Sequence, residues 1–374
     1  MSLTVHFINK NWERVQVVLN VKAMFGSHTG DYIGETFVNL LDEWDIAHDR
    51  VHMVLRDSGA NMIKGLRVAE VPGLSCSAHT LQLVINDGLT AQRAVSDMIA
   101  KFKRIATHFN HSVVAQQRLA VIQTEMGVPH HSIVQSVPTR WNSTLHMIAR
   151  MLEQKRAITA YSSDYGHFVS PTPNEWDLAG KLVETLMPLE EITLEMSKSD
   201  SSVSCIIPSV GVLKTLLQSE GPNTVGIQTV RKTMLESLDK RFSKINEAKE
   251  VVLACLLDPR YKHRPLSQDA LFRAKSWLDE ETQNDERAVE TEEAPAEEAD
   301  PKRLRVESHS VLDNLFDTML ASTSQEDQPL KTSRRNFRAD NYYHYYYYYY
   351  HHHHHYYYYY YKVYYYFYYN YYYF

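Results

Sequence analysis

The stretch Val51-His52-Met53-Val54-Leu55-Arg56-Asp57-Ser58-Gly59-Ala60-Asn61-Met62 decides the fold. Its first five residues form a short apolar run bounded by polar ones, which reads as a strand. That strand closes on Arg56-Asp57, and Ser58-Gly59 supplies turn chemistry ahead of a helix expected over residues 60–66. A further short strand over residues 71–75 completes a strand-helix-strand edge of an α/β sheet. A carboxylate at the C-terminal end of such a strand, followed by small residues, suits a metal-ion site open to solvent. The same Asp57 also reads as a cap for the next helix.

Upstream, residues 3–8 alternate Leu, Val and Phe with polar side chains, Asn9-Lys10-Asn11 turns the chain, and residues 15–21 are a second β-branched run. The pair reads as a hairpin. Ile33, Phe37, Leu40, Leu41 and Trp44 then mark one helical stripe. From about Thr80 to Glu280 the pattern is helical almost throughout. Ala94, Val95, Met98, Ile99, Phe102, Ile105, Ala106 and Phe109 trace one face with Lys and Arg opposite. Asn174 stands at an N-cap position before Trp176, Ala179, Leu182, Val183 and Leu186, and Asp258-Pro259 stops a helix at Leu257.

The charge balance changes sharply at residue 279. Residues 279–300 hold eleven acidic side chains and one base, Arg287, so the chain's net −6 leaves +4 for everything else. That mildly basic remainder is compatible with nucleic acid. The acidic run, with Pro295 and no periodicity, predicts a disordered linker. Pro301-Lys302-Arg303-Leu304-Arg305 follows, with Lys302, Arg303 and Arg305 offering a basic cluster an import receptor can read, and then a short amphipathic piece over residues 311–320. Of 26 tyrosines, 22 lie between Tyr342 and Tyr373, alongside His351 to His355. Tyr, His, Asn and Phe codons differ by single bases, so a slipped trinucleotide repeat reads this way. Such a tract has no turn signals and no amphipathic period, and it predicts a sticky or disordered tail without a specified fold.

Three cysteines, Cys76, Cys205 and Cys255, in 374 residues indicate a reducing compartment. The first residues lack a charged segment followed by an apolar core, and no run approaches the ~20 apolar residues of a membrane span. A soluble, intracellular protein is expected. The domain reading is residues 1–90 for the sheet, 91–278 for an all-helical domain, 279–308 for the acidic linker with its basic cluster, 309–341 for a short helix and C-terminal segment, and 342–374 for the tail.

Two further constellations stand beside Asp57. Cys76-Ser77-Ala78-His79 spaces two possible zinc ligands, but structural zinc needs four and no partner pair lies nearby. A packed thiol and a hydrogen-bonded imidazole at a strand-to-helix junction is the alternative. In Thr139-Arg140-Trp141-Asn142-Ser143-Thr144 an Arg beside a Trp precedes a helix with Leu145, Ile148, Met151 and Leu152. The pair can bind a phosphate and stack on a base. Trp141 reads equally as a core residue at a helix start.

Taken in order, these motifs resemble the hAT superfamily of DDE transposases, and within it the BED zinc-finger proteins derived from such transposons. The matching residues are Ser2-Leu3-Thr4-Val5-His6-Phe7-Ile8, Phe25-Gly26-Ser27-His28-Thr29-Gly30, residues 56–62, Cys76-Ser77-Ala78-His79, residues 139–144 and Leu257-Asp258-Pro259-Arg260-Tyr261-Lys262. The likeness runs from about residue 2 to residue 320. It implies an RNase H-like sheet, incomplete here, interrupted by a large all-helical insertion. It maps Asp57 onto the family's second metal-binding carboxylate, Cys76 and His79 onto its C-x-x-H motif, and Arg140-Trp141 onto its RW motif, whose Trp is implicated in stabilising a flipped base.

The resemblance also places the family's first acid on a strand upstream of the segment matching Leu3, and its third acid beyond residue 320. Two-metal chemistry needs converging carboxylates, so Asp57 alone implies no catalysis and at most weak metal binding. In that fold the first strand sits centrally, between the hairpin and the strand ending at Leu55. Without it two sheet edges are left open to misfolding or to pairing with another chain. The expectation is a truncated, catalytically inactive, transposase-derived protein whose full-length relative is a nuclear, DNA-binding transcriptional regulator. Divalent metal and zinc are expected only in that relative, a dimer partner is possible, and neither membrane nor small-molecule substrate is expected. A piece of an active cut-and-paste transposase and a protein-interaction module without DNA binding are the other readings.

Overall fold

The computed structural model describes residues 1–289 and, as backbone, residues 363–366. Lys302, Arg303, Arg305 and residues 311–320 lie outside the described residues. The chain divides into two compact units: Met1–Thr80 together with the sequence from Lys275 and the strand near the C-terminus, and Leu81–Ala274.

The first unit is built on the expected hairpin, β1 (Ser2–Ile8) against β2 (Arg14–Val21), antiparallel with Val5 opposite Val17 and Ile8 opposite Arg14. Asn9 makes the turn, its Oδ1 accepting the backbone N–H groups of Asn11 and Glu13, each at 2.9 Å. Leu3, Thr4, Val5 and His6 are all buried, so β1 is covered on both faces instead of alternating in and out. α1 (Gly30–Glu43) starts at Thr29, whose side chain accepts the Tyr32 N–H, and buries Ile33, Phe37, Leu40 and Leu41. These pack with Leu3, Val5, Val51, Val54, Met62 and Leu66 in one core cluster. Burying an aliphatic side chain of this size contributes ~1.5–3 kcal/mol, so this cluster holds the helices to the sheet.

The stretch first quoted folds as read. β3 (Val51–Arg56) is followed by α2 (Ala60–Val68) and by β4 (Gly73–Ser75), which pairs parallel to β3 with Arg56 opposite Ser75. α1 and α2 touch through glycines: a Cβ on Gly34 would lie 2.7 Å from the Gly65 carbonyl oxygen.

Two expectations about the sheet are corrected. The tail was expected to specify no structure, yet Val363–Tyr366 forms a strand, β5. The open centre is also closed: the order is β2-β1-β5-β3-β4, with β5 antiparallel to β1 and parallel to β3. Valine and tyrosine are strand-favouring residues, and two bare strand edges give them somewhere to pair.

The second unit is helical. α3 (Ser77–Ala91) carries the chain into it. α4 (Arg93–Asn110) buries the expected stripe from Val95 to Phe109, except that Ala94 faces solvent. α5 (Val113–Met126), α6 (Trp141–Glu153), α7 (Lys155–Tyr165) and α8 (Pro173–Ser197) follow. The N-cap of α8 is Thr172, not Asn174: Thr172 and Glu175 close a capping box, with Pro173 at the first helical position. α9 (Ile206–Gln218) and α10 (Gln228–Arg241) lead to α11 (Lys249–Leu257), which stops at Asp258 as expected. α12 (Gln268–Val289) runs on through residues 279–289, where a linker was expected. That part of the acidic run is rich in Glu, Gln, Arg and Ala, all good helix formers, so charge alone does not end the helix.

Candidate functional site

Asp57 follows the last residue of β3 and is half-buried. Its Oδ1 accepts the Gly59 N–H at 2.9 Å, an Asx-turn that leads the chain into α2. Asn61 works beside it, accepting the Met62 N–H at 3.0 Å and donating to the His28 carbonyl at 3.2 Å. The neighbouring Arg56 is only 9% exposed. Its Nη1 donates to the Asp57 carbonyl oxygen at 2.7 Å and to Ser75 Oγ at 3.3 Å. Burial lowers the Arg56 pKa, against the opposing pull of the Asp57 charge. Arg56 therefore buttresses the backbone that carries Asp57. No separate role was expected for Arg56, although its adjacency to Asp57 was the available signal.

Cys76 sits at the junction of β4 and α3. Its N–H donates to the Arg56 carbonyl at 2.7 Å, and its own carbonyl accepts from the Thr80 N–H at 2.9 Å. Burial pushes the thiol pKa up, the His79 and Ala78 N–H groups oppose this, and the Asp57 charge adds to it. Cys76 thus stands immediately before α3, its carbonyl accepting the first bond of the helix. His79, where a hydrogen-bonded imidazole was expected, is exposed. It lies in the first turn of α3, whose buried face is Thr80, Leu81, Val84 and Ile85. Among the described residues no group of three His, Cys, Asp or Glu side chains is placed to hold a metal ion.

In the helical unit Trp141 is the first residue of α6 and is 2% exposed. Its backbone N–H donates to Gln82 Oε1 at 3.2 Å, and its indole Nε1 is buried without an acceptor among the described residues. Arg140 is the N-cap residue, exposed, with its carbonyl accepting from Ser143 Oγ at 2.5 Å. Ser143 Oγ also accepts the Val137 N–H at 2.7 Å, Thr144 bonds Ser136 at 2.8 Å, and Asn142 reaches Glu190 at 2.9 Å. Ser143 and Thr144 therefore pin the preceding loop to the helix start, and Asn142 ties α6 to α8. Nothing in the sequence pointed to Gln82 or Glu190.

The stretch after α11 is a staple. The Asp258 carboxylate accepts from Ser204 Oγ at 2.6 Å and from Arg260 Nη2 at 2.8 Å. Burial alone would raise its pKa, but the Arg260 and Ser204 hydrogen bonds outweigh that and hold it below the usual range. Burial pushes Tyr261 and Cys255 each up to about 12.

With this geometry in place, the comparisons are specific. Residues 1–69 match the family model for the ZBED1 RNase-like domain, and residues 74–185 match that for the ZBED1 RNase-like helical domain. Over 253 residues the chain is 29% identical to zinc finger BED domain-containing protein 4 of Homo sapiens, covering 66% of this chain and 22% of that protein. Over 283 residues it is 26% identical to "Putative AC transposase" of Zea mays, covering 70% and 34%. Over 237 residues it is 26% identical to "Putative transcriptional regulator tpeD" of Talaromyces stipitatus, covering 53% and 28%. The chain spans only between 22% and 34% of the length of these relatives.

A small sheet with Asp57 at a strand end, followed by a large helical unit, places the chain in the class of transposase-related proteins. Within that class the two family models and the relatives support a BED-type protein derived from hAT transposases.

Proposed function

We propose that this chain is the RNase H-like and helical part of a domesticated hAT-type protein that acts in the nucleus as a DNA-associated transcriptional regulator and does not itself cut DNA. The observation that carries this reading is the placement of Asp57. Its Oδ1 is committed to the Gly59 N–H at the start of α2, which gives the carboxylate a structural task independent of metal. The burial of Trp141 supports it further, since a side chain 2% exposed is not poised to stack on a base. The RNase H-like assignment is supported by the sheet order, in which the central strand runs antiparallel to the hairpin and parallel to β3.

Contact with DNA is proposed for the whole protein on the strength of its BED-type relatives, with exposed Arg140 as the residue of this chain closest to that role. Nuclear location rests on the regulator named among the relatives and on Lys302, Arg303 and Arg305. No described helix is long and apolar enough to cross a membrane. Zinc and divalent metal are proposed only for a longer relative, as is a dimer partner.

The test has two arms. Purified chain with Mg²⁺ or Mn²⁺ should neither nick nor join transposon-end DNA. Duplex binding measured against salt should show whether this part alone contributes phosphate contacts. A second reading, a piece of an active transposase, is favoured by the 26% identity to the Zea mays relative. Nicking that survives repurification and vanishes in Asp57→Asn would establish it.

A further inference from the structure

The centre of the sheet is unusual in its supply. β5 has four residues, Val363–Tyr366, and lies between β1 with seven and β3 with six. Its register covers Thr4, Val5 and His6 on one side and Val51, Met53, Val54 and Leu55 on the other. The polarity of the slot is fixed: a strand entering it runs antiparallel to β1 and parallel to β3.

We infer that Val363–Tyr366 is an intramolecular donor strand, and that the slot between β1 and β3 is a peptide-accepting site which this strand keeps closed.

Three observations support this. First, Leu3, Val5, Val51 and Val54 belong to the core cluster, so the strands flanking the slot are central ones. Neither carries a proline or a Lys to blunt its edge, and an empty slot would present two bare ladders. Second, the occupant is loosely specified. Residues 356–361 and 364–366 are all tyrosine, so neighbouring registers offer equivalent side chains, and register is held by backbone pairing more than by pattern. Third, β5 belongs to the same chain as its acceptor. Covalent linkage gives it an effective concentration of up to the order of millimolar, an advantage no free peptide has. The tract is therefore held by attachment as much as by fit, and cutting the attachment should make the strand exchangeable.

The decisive experiment uses the full chain. In a Val5→Cys/Tyr365→Cys variant the two positions are opposite each other in the antiparallel register. Directly opposed residues have Cα atoms ~4.5–5.5 Å apart, within the ~4.4–6.8 Å that a disulfide spans. Mild oxidation should give an intrachain cross-link, seen as a monomer on a non-reducing gel and confirmed by peptide mapping. A covalent dimer, or no cross-link, would overturn the inference. In a second version, a protease site placed at Asn341 is cut after folding and amide exchange is followed. The β1 and β3 amides should lose protection by about tenfold or more on dilution and regain it with a synthetic Tyr361-to-Phe367 peptide. Unchanged protection after cutting, with no peptide uptake, would also overturn it. If the cut chain precipitates, the cross-link in the uncut chain still decides the question.

Discussion

Gln82 on α3 accepts the backbone N–H of Trp141 at 3.2 Å, so a side chain 59 positions earlier satisfies one of the orphan donors at the start of α6. The same Trp141 is 2% exposed, and its indole fills the interior behind that bond. The side chain that the family resemblance assigns to a DNA base is, in this chain, a packing element of the helical unit.

Trp141→Ala should therefore cost ~3–5 kcal/mol of stability, as for other buried aromatics, and lower the thermal transition clearly. DNA affinity should change only in proportion to unfolding. A variant whose melting is unchanged while hairpin or single-stranded DNA binding falls about ten- to a hundredfold would restore the stacking role. Arg140→Ala, at an exposed N-cap whose structural bonds come from its backbone, should leave stability nearly unaltered and serves as the companion measurement.

At Asp57 the expected effect is also structural. Asp57→Ala removes the acceptor for the N–H of Gly59, the N-cap residue of α2, and should destabilise by ~0.5–1.5 kcal/mol, the usual net worth of one hydrogen bond. Asp57→Asn keeps an oxygen there and should lose less. Denaturant midpoints of the two variants separate these outcomes. Equal losses would mean that the charge, not the turn, is what the site uses.

Much of this fold is legible in the sequence. The run from Val51 to Met62 gave strand, turn and helix because apolar alternation, Gly59 and the following helical spacing agree with one another. The α4 face and the stop at Asp258 were legible for the same reason. Thr172-Pro173-Asn174-Glu175 also held its answer: the Thr-x-x-Glu box outranks a lone Asn, and Pro173 suits the first helical position. Other features had no local signal. The bond from Gln82 to Trp141 and the buttress from Arg56 to Ser75 depend on chain proximity that only folding creates. β5 was hidden differently, since a homopolymer carries strand propensity but no pattern, and its partner is a vacancy in a distant sheet.

His6 makes a prediction about pH. Burial, and after it the Arg14 charge, lowers its pKa from 6.5 to about 4. The folded chain therefore holds fewer protons than the unfolded chain between those values. Stability from this group is complete above pH ~6.5 and is lost as pH falls toward ~4, by a total on the order of 3 kcal/mol. Denaturant midpoints at about pH 7 and about pH 5 should differ accordingly, and His6→Leu should flatten the difference. Asp258 also loses stability on acidification, but its pKa is held below 3.8, so its window lies lower. A pH dependence unchanged in His6→Leu would assign the effect to another group.

The contact between α1 and α2 yields a prediction whose sign is opposite to that of helix propensity. Gly34 lies inside α1, where alanine would ordinarily stabilise by ~0.5–1 kcal/mol. A Cβ there would stand 2.7 Å from the Gly65 carbonyl oxygen and 2.8 Å from Val68 Cβ. The nearest obstacle is backbone, which cannot swing aside as a long side chain would, so the helices must separate and loosen the cluster of Ile33, Phe37, Met62 and Leu66. Overpacking of this kind costs ~1–3 kcal/mol, which exceeds the propensity gain. Gly180 in α8 is the control, because a Cβ there meets nothing within 4 Å. Gly34→Ala should lower the denaturant midpoint while Gly180→Ala raises it. If both raise it, the two helices of the sheet unit are not packed through their glycines.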